Sequence, residues 1–201
     1  MTAGPPVYDR LAAHYDRALG PLEKLGLRRL RASLLGELEA GSRLLEVGAG
    51  TGANFPFYPP GATALACDPS REMLARAAAR PERPAGVGLA RCRAERLPFA
   101  DATFDAAFAT LVICSVESPA AALSELGRVV KPGGRVLLLE HVRPSGPLGP
   151  LFDALSLLTV PLCGDHFNRR TAEEARRAGL SVERVERRLF GVVQLIFCRA
   201  G

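Results

Sequence analysis

Short apolar runs alternate with helical patterns along most of the chain. Each run is bounded by polar or turn residues, and five of them predict strands, at 43–47, 62–67, 87–92, 104–109 and 135–140. Because these runs are nearly continuous in apolar residues, they indicate a parallel sheet buried on both faces. Two further strands, at about 181–189 and 191–198, meet at a short junction containing Gly191, so we expect an antiparallel hairpin. The pattern predicts an α/β fold: a Rossmann-like, doubly wound, mostly parallel sheet of seven strands with an antiparallel last strand.

The first 40 residues carry helical rather than strand patterns. Leucines recur at helical spacing from Leu27 to Leu38, and Gly41 then interrupts the pattern. We therefore predict an N-terminal helical cap over 1–40 and a single α/β domain over 41–201.

Helix start signals separate the predicted strands. Ser70 and Ser118 each precede a helical pattern as an N-cap, while Thr171 and Glu174 have the spacing of a capping box. These signals place one helix after the second strand, one after the fourth and one before the terminal hairpin.

Residues 144–164 fit neither the strand nor the cap pattern. Their apolar positions predict a short helix with one apolar face, formed by Leu151, Phe152, Leu155, Leu158 and Leu162. This face either packs on the core, closes as a lid over a lipophilic substrate, or dips into a membrane interface. The sequence leaves these alternatives open.

Composition narrows the class of protein further. Of 201 residues, 48% are hydrophobic and 23% charged, which is typical of a globular domain. Five cysteines without a CxxC pair indicate free thiols in a reducing cytoplasm, and the start lacks an apolar signal core. The net charge is +5, but arginines interleave with glutamates and aromatics are sparse, so we predict no nucleic-acid partner.

The strongest local signal is LLEVGAGTGANF, at 44–55. A strand is followed by Gly48, Gly50 and Gly52 and then by a predicted helix start, whose free N–H groups suit an anion. The same letters also satisfy the relaxed dinucleotide fingerprint of nicotinamide enzymes. Asp68 follows the second strand, where a carboxylate binds ribose hydroxyls in either case.

Three features favour a cationic ligand over a dinucleotide. Glu46 stands two residues before Gly48, where its carboxylate would receive an ammonium group and repel a pyrophosphate. Glu95 follows the third strand at a turn that suits an adenine amino group. The chain also has no separate domain to hold a hydride acceptor.

The motifs EVGAGTG, CDPSREML, AERLPFADATFD and LGRVVKPGGRVLLLEH occur in this order between Leu44 and Arg143. In order and spacing they resemble the class I S-adenosylmethionine-dependent methyltransferases with a type 11 methyltransferase domain. The resemblance implies that domain over 41–201 and S-adenosylmethionine as cofactor. It also implies a glycine loop under the methionine part of the cofactor, made by Glu46, Gly48, Ala49, Gly50 and Gly52.

The other implied cofactor contacts follow the later motifs. Asp68 binds the ribose, and Pro69 and Met73 belong to the same motif; Ala94 and Glu95 flank the adenine; Thr110 or Leu111 lies near the sulfonium.

A narrower similarity concerns the acceptor. GTGANFPFYPPG, TLVICSV and LLLEHVRPSG are similar to the membrane-associated alkyl-thiol methyltransferases of animals, without their apolar N-terminal anchor. VYDRLAAHYD is similar to bacterial phosphatidylethanolamine and quinone methyltransferases, in which a tyrosine matching Tyr8 or Tyr15 closes over the cofactor. Peripheral membrane contact is therefore left open.

Three histidines are candidates for contact with the acceptor. His141 follows the fifth strand, whose end points to the ligand crevice of such folds, so we predict it as the catalytic polar contact. His14 and His166 are interpreted as structural. No pair of His or Cys has metal-ligand spacing, so no metal site is expected.

The sequence thus predicts methyl transfer to a small lipophilic acceptor through a thiol, amine or phospholipid head group. A quinone-type C-methyltransferase is the alternative. A nicotinamide-dependent oxidoreductase and a non-catalytic cofactor-binding protein are the alternatives of other classes. We expect a monomer or homodimer.

Overall fold

A single mixed sheet organises the fold. The computed structural model describes residues 6–201, and within them seven strands run in the order β3-β2-β1-β4-β5-β7-β6. Their bounds are β1 Arg43–Val47, β2 Thr63–Cys67, β3 Val87–Ala90, β4 Phe104–Thr110, β5 Val130–His141, β6 Ser181–Arg188 and β7 Val193–Arg199. Strands β1 to β5 are parallel, and β7 pairs antiparallel with both β5 and β6. The predicted sheet and terminal hairpin are confirmed.

Apolar clusters cover the two faces of the sheet. Leu45, Ala107 and Leu138 point to one cluster, while their strand neighbours Leu44 and Phe108 point to the other. Successive side chains of a strand point to opposite faces of the sheet, and here the side chains on both faces are apolar. Both faces therefore exclude water. This arrangement confirms the parallel sheet, buried on both faces, that the apolar runs predicted.

Six helices accompany the sheet within the described residues: α1 Pro6–Leu22, α2 Arg28–Leu35, α3 Arg71–Ala78, α4 Pro119–Val129, α5 Gly149–Cys163 and α6 Thr171–Arg177. Residues Glu23–Leu27 join α1 to α2 across a kink at Gly26, where φ is 139°. The predicted caps are confirmed for α3 and α4, since the hydroxyls of Ser70 and Ser118 accept backbone N–H groups at 3.2 and 3.3 Å.

Two helix predictions are wrong. The predicted capping box fails because Arg170 is the N-cap of α6 and Thr171 is already its first helical residue, without a side-chain cap bond. The glycine loop leads only into a single 3-10 turn, Phe55–Phe57, and no α-helix starts there. Pro56, Pro59 and Pro60 remove the N–H donors that a longer helix needs.

A turn at Lys131–Gly134 lies inside β5. The ladder to β4 jumps from Val130 to Arg135, so the four intervening residues bulge away from β4, although Gly133 and Gly134 still bond Ala200 after β7. The turn is therefore an excursion within a strand, and α4 ends before it, at Val129.

Helix α5 confirms the helix predicted in 144–164 but not its face. The side chains facing the protein are Phe152, Leu155 and Ser156, whereas Leu151 and Leu158 are 61% and 64% exposed. Phe152 and Leu155 of the predicted face thus point inward and Leu151 and Leu158 point to solvent, because helical spacing alone cannot fix the rotation of a helix that is apolar nearly all round; the side chain of Leu162 lies outside the described part of the structure. No helix among residues 6–201 is long and apolar enough to cross a bilayer.

Candidate active site

A crevice opens at the carboxyl ends of β1, β2 and β4, where parallel sheets of this kind bind ligands. The crevice is open to solvent, and the space inside it, counted together with the solvent at its mouth, is about 770 Å³. Eleven of the predicted site residues line it: Tyr8, Tyr15, Gly48, Gly50, Asp68, Pro69, Met73, Ala94, Glu95, Thr110 and Leu111.

The glycine loop forms the floor of the crevice. At Gly48 an added Cβ would lie 2.3 Å from a methyl group of Val112, so packing requires glycine there. At Gly50 φ is 54° and an added Cβ would meet nothing within 4 Å, so this backbone faces open space. Ala49 and Gly52 do not line the crevice but shape the loop, which Ala49 ties to β2 by donating its N–H to the Cys67 carbonyl at 2.9 Å. The loop therefore offers bare backbone to a ligand.

Asp68 is a buried carboxylate in the wall of the crevice. Its carboxylate is 8% exposed and accepts the N–H groups of Gly50 and Ser70 at 2.9 and 2.8 Å. Burial raises the pKa of Asp68, and these two hydrogen bonds oppose that shift. Each oxygen keeps a lone pair for a further donor, which is the arrangement that binding two ribose hydroxyls requires.

The predicted adenine end is held by charged groups. Glu95 accepts the Glu117 N–H at 2.9 Å and lies 3.4 Å from Arg93, which also pairs with Glu117. Burial acts to raise the pKa of Glu95, but its hydrogen bonds and Arg93 outweigh burial and lower it. Glu95 is therefore fixed as an acceptor beside Ala94.

The loop after β4 is strained at the predicted sulfonium end. Leu111 has a φ of 59°, a left-handed conformation that is uncommon for a residue with a side chain. The buried carboxylate of Glu140 holds the loop by accepting the N–H groups of Val112 and Ile113 at 2.8 and 3.0 Å. Burial raises the pKa of Glu140 to about 7. Glu140, on the neighbouring strand β5, thus stabilises the strained backbone conformation of Leu111.

Glu46 does not line the crevice. Its carboxylate is fully buried and accepts hydrogen bonds from the Asn54 amide at 2.6 Å and from the Tyr58 hydroxyl. Burial raises the pKa of Glu46 to about 7, although both hydrogen bonds oppose the shift. The contact of Glu46 with a ligand ammonium group stays a prediction, and the carboxylate is fully buried and outside the crevice lining.

A buried arginine joins the cap to this network. Arg31 of α2 is 4% exposed and donates to Asn54 at 2.9 Å, to Glu23 at 2.9 Å and to Thr110 at 2.5 Å. The guanidinium thus links the cap, the glycine loop and the end of β4. Sequence reasoning missed Arg31 because its position in an arginine-rich helical stretch is typical of a solvated face.

Helix α1 covers the crevice. Asp16 accepts from the Thr51 hydroxyl at 2.6 Å and pairs with Arg80 at 2.8 Å, and Asp9 bonds Ser70. The helix thereby places Tyr8 and Tyr15 against the crevice. Burial raises the pKa of Tyr15 to about 12, so its phenol stays protonated.

His141 lies beside the crevice rather than in its lining. Its Nε2 is 3.1 Å from Asp165, its ring stacks on Phe167 with centroids 4.2 Å apart, and its Nδ1 is buried without a hydrogen-bond partner in the described structure. His14 is exposed, whereas His166 is half-buried and donates its backbone N–H to the Cys114 carbonyl. The catalytic role of His141 stays a prediction.

Comparison with known proteins assigns the family. A model described as a methyltransferase domain matches residues 45–138. The chain is 35% identical over 148 residues to phosphatidylethanolamine N-methyltransferase of Cereibacter sphaeroides, covering 72% of this chain and 71% of that protein. The chain belongs to the S-adenosylmethionine-dependent methyltransferases. The resemblance of the sequence motifs to this family is confirmed.

Other methyltransferases show similar agreement. A thiol S-methyltransferase of Rattus norvegicus is 36% identical over 150 residues, covering 71% of this chain; the chain spans 62% of that enzyme's length. The ubiquinone/menaquinone biosynthesis C-methyltransferase of Syntrophotalea carbinolica is 39% identical over 168 residues, covering 79% of this chain and 70% of that enzyme. A solved S-adenosylmethionine-dependent methyltransferase of Thermotoga maritima is 22% identical with a TM-score of 0.74, covering 97% and 98% of the two chains, and shares the fold.

The crevice residues fit the family's cofactor, S-adenosylmethionine. Gly50 presents backbone without steric obstruction, and Asp68 keeps acceptor capacity after its two backbone bonds. Sequence reasoning missed several lining residues, among them Cys92, Arg93, Ser115 and Val116. Cys92 and Arg93 stand directly before Ala94, and Ser115 and Val116 follow Leu111 by four and five residues, so proximity to Ala94 and Leu111 was the available signal.

Proposed function

We propose that this methyltransferase transfers a methyl group to a small, lipophilic acceptor through a thiol, an amine or a phospholipid head group. The observation that carries the proposal is Asp68 paired with the Gly50 backbone at the carboxyl ends of β2 and β1. When bound, S-adenosylmethionine supplies a methyl group activated by its sulfonium charge.

The protein's main task is then to align the reacting groups and exclude water. Asp68 would hold the ribose, Ala94 and Glu95 the adenine, and the Gly48–Gly50 backbone the amino-acid end. Tyr8 and Tyr15 of α1 would cover the cofactor. Asp16 of the same helix contacts Thr51 and Arg80, and these contacts would hold both rings in position.

The acceptor side supports a lipophilic substrate. Leu111, Val112 and Val116 give the crevice an apolar wall. Beside this wall stands His141, which we propose as the polar contact for the nucleophile. The names of the relatives cover thiols, phosphatidylethanolamine and quinones, so a quinone-type C-methyltransferase is the second candidate.

The test is a panel of acceptors incubated with methyl-labelled S-adenosylmethionine: alkyl thiols, phosphatidylethanolamine, quinols and small amines. We expect label on at least one lipophilic acceptor and calorimetric binding of the cofactor at sub-millimolar concentration. No cofactor binding would contradict the proposal. Cofactor binding without turnover would favour a non-catalytic binding protein, and a fluorescence change with NADPH would favour an oxidoreductase.

Peripheral contact with an anionic lipid surface is part of the proposal. Phe190, at the tip of the β6–β7 hairpin, is 94% exposed, and Leu157 of α5 is 78% exposed. Arg187 and Arg188 precede Phe190 by three and two residues, and the chain carries a net charge of +5, which favours anionic head groups. We expect flotation with anionic but not zwitterionic vesicles, reduced by Phe190→Ser with Leu157→Ser; no flotation with either vesicle would contradict it.

A reducing cytoplasmic location stays a prediction, consistent with the buried free thiols of Cys67, Cys92, Cys114 and Cys198.

A further inference from the structure

Three potential metal ligands from distant segments converge beside the crevice. Cys114 lies in the loop after β4, His141 ends β5, and Asp165 follows α5. One ligand atom from each lies within 4.8 Å of the other two. We propose that Cys114, His141 and Asp165 bind a thiophilic divalent cation of the zinc type. Metal binding is tested without methyl transfer; because it takes up His141 Nε2 and Nδ1 is buried, a metal-bound His141 would not itself contact the nucleophile.

The spacing of the ligand atoms suits a tetrahedral ion. Zinc bonds of about 2.0–2.1 Å to nitrogen and oxygen and about 2.3 Å to sulfur put ligand atoms ~3.3–3.6 Å apart. His141 Nε2 and Asp165 Oδ1 are already 3.1 Å apart, so an ion can replace the proton they share. The Cys114 sulfur has to approach the other two ligand atoms by at most about 1.5 Å.

The donor set matches the charge and softness of zinc. A thiolate, a neutral imidazole and a carboxylate together carry two negative charges, which a divalent cation neutralises. Coordination releases the thiol proton of Cys114 to solvent, and the proton on His141 Nε2 moves to Nδ1, which keeps the imidazole neutral. Three protein ligands leave a fourth position open, as in catalytic zinc sites. Ser115, the neighbour of Cys114, lines the crevice, so that position is close to the proposed acceptor end.

The surrounding structure holds the ligands in place without a metal. Glu140 accepts the Cys114 N–H at 3.3 Å, and the His166 N–H binds the Cys114 carbonyl at 2.9 Å. The Thr159 hydroxyl donates to the Asp165 carbonyl at 2.7 Å. Such outer contacts orient ligands and strengthen metal binding. Little conformational entropy is therefore left to lose on coordination.

The cluster escaped the sequence analysis because its members are 27 and 24 residues apart along the chain. Spacing rules detect ligands on one helix or turn, whereas here three segments meet at the carboxyl edge of the sheet. Among the residues that the structure describes, this is the one group of three such ligands.

The test is titration of the purified, chelator-treated full chain with Co²⁺, followed by absorbance spectroscopy. We expect saturation at one equivalent, a thiolate-to-cobalt charge-transfer band, and intense visible bands typical of tetrahedral cobalt. Added Zn²⁺ should displace cobalt and abolish the spectrum.

Variants assign the ligands. Cys114→Ser should remove the charge-transfer band, and Asp165→Asn should keep the band but weaken cobalt binding at least about tenfold. Cys198→Ser, at a buried cysteine of β7, is the control and should leave the spectrum unchanged. Circular dichroism confirms that each variant is folded; if Cys114→Ser unfolds, Asp165→Asn with His141→Ala decides.

Two results would overturn the proposal: no charge-transfer band in the wild-type chain at millimolar Co²⁺, or a band that persists in Cys114→Ser and is lost in Cys198→Ser. His141 and Asp165 would then act only as a hydrogen-bonded pair.

Discussion

Replacing Asp68 by asparagine removes one acceptor oxygen without changing the size of the side chain. The carboxylate accepts the Gly50 N–H on one oxygen and the Ser70 N–H on the other, and each oxygen has capacity for one ribose hydroxyl. The asparagine nitrogen cannot accept, so the variant loses one backbone bond and one ribose bond.

The expected loss of cofactor affinity follows from the ribose bond. A hydrogen bond to a charged group contributes about 1.5–3 kcal/mol, which corresponds to a roughly 10- to 150-fold rise in Kd. The lost backbone bond lowers the free energy of unfolding by a further ~1–2 kcal/mol, since a buried N–H is left without its acceptor. Asp68→Ala loses both backbone bonds, so it should destabilise the fold more than Asp68→Asn.

The assay is isothermal titration calorimetry with S-adenosylhomocysteine, combined with thermal unfolding of the free protein. Asp101→Asn is the matched control, because Asp101 only pairs with Arg128 at the surface and its side chain is 78% exposed. A change in Kd below about twofold in Asp68→Asn would refute the assigned ribose contact, since even one weak hydrogen bond contributes more.

Three further predictions concern stability and closure. Burial raises the pKa of Glu140 to about 7, so the native state holds a proton that the unfolded state releases; the free energy of unfolding should fall by about 3 kcal/mol from pH 5 to pH 8. Glu140→Gln should flatten this pH dependence in urea titrations, although Glu46 contributes in the same direction. Arg31→Leu leaves buried polar partners unpaired and should lower the free energy of unfolding by about 3–5 kcal/mol, against little change for the exposed Arg29→Leu. Asp16→Ala should cost about 1–2 kcal/mol in stability, because its exposed ion pair contributes little but the buried Thr51 hydroxyl loses its acceptor; it should also weaken cofactor binding severalfold and speed amide exchange in α1.

For each of these three predictions, one experimental outcome would contradict the reasoning. Stability that rises between pH 5 and pH 8 in wild type would mean that Glu140 and Glu46 ionise more easily in the native state. Equal stability of Arg31→Leu and Arg29→Leu would place Arg31 outside the buried network. Unchanged amide exchange in Asp16→Ala would show that α1 is held by other contacts.

The sheet was predictable because its strands are nearly pure apolar runs. The observed β1, Arg43–Val47, coincides with its prediction, and the order of pairing follows from parallel crossovers and a terminal hairpin. The ligand crevice was predictable for the same reason: glycines after β1 and an acid after β2 meet wherever two parallel strands end side by side.

The errors arose where long-range contacts override local signals. Asn54 and Tyr58 fold back onto Glu46, contacts that its distance to Gly48 does not indicate, and its contact with a ligand stays a prediction. The glycine loop predicted the start of a helix, but Pro56 and the two prolines after it prevent a longer helix from forming there. The rotation of α5 depends on its tertiary neighbours, which apolar spacing does not encode.

The central claim is that the bend after β1 and the acid after β2 hold S-adenosylmethionine. The most direct measurement is a crystal structure with S-adenosylhomocysteine bound. We predict ribose hydroxyls on Asp68, adenine between Ala94 and Glu95, and the amino-acid end over Gly48 and Gly50. A ligand bound elsewhere, with Asp68 still contacting only Gly50 and Ser70, would contradict the account.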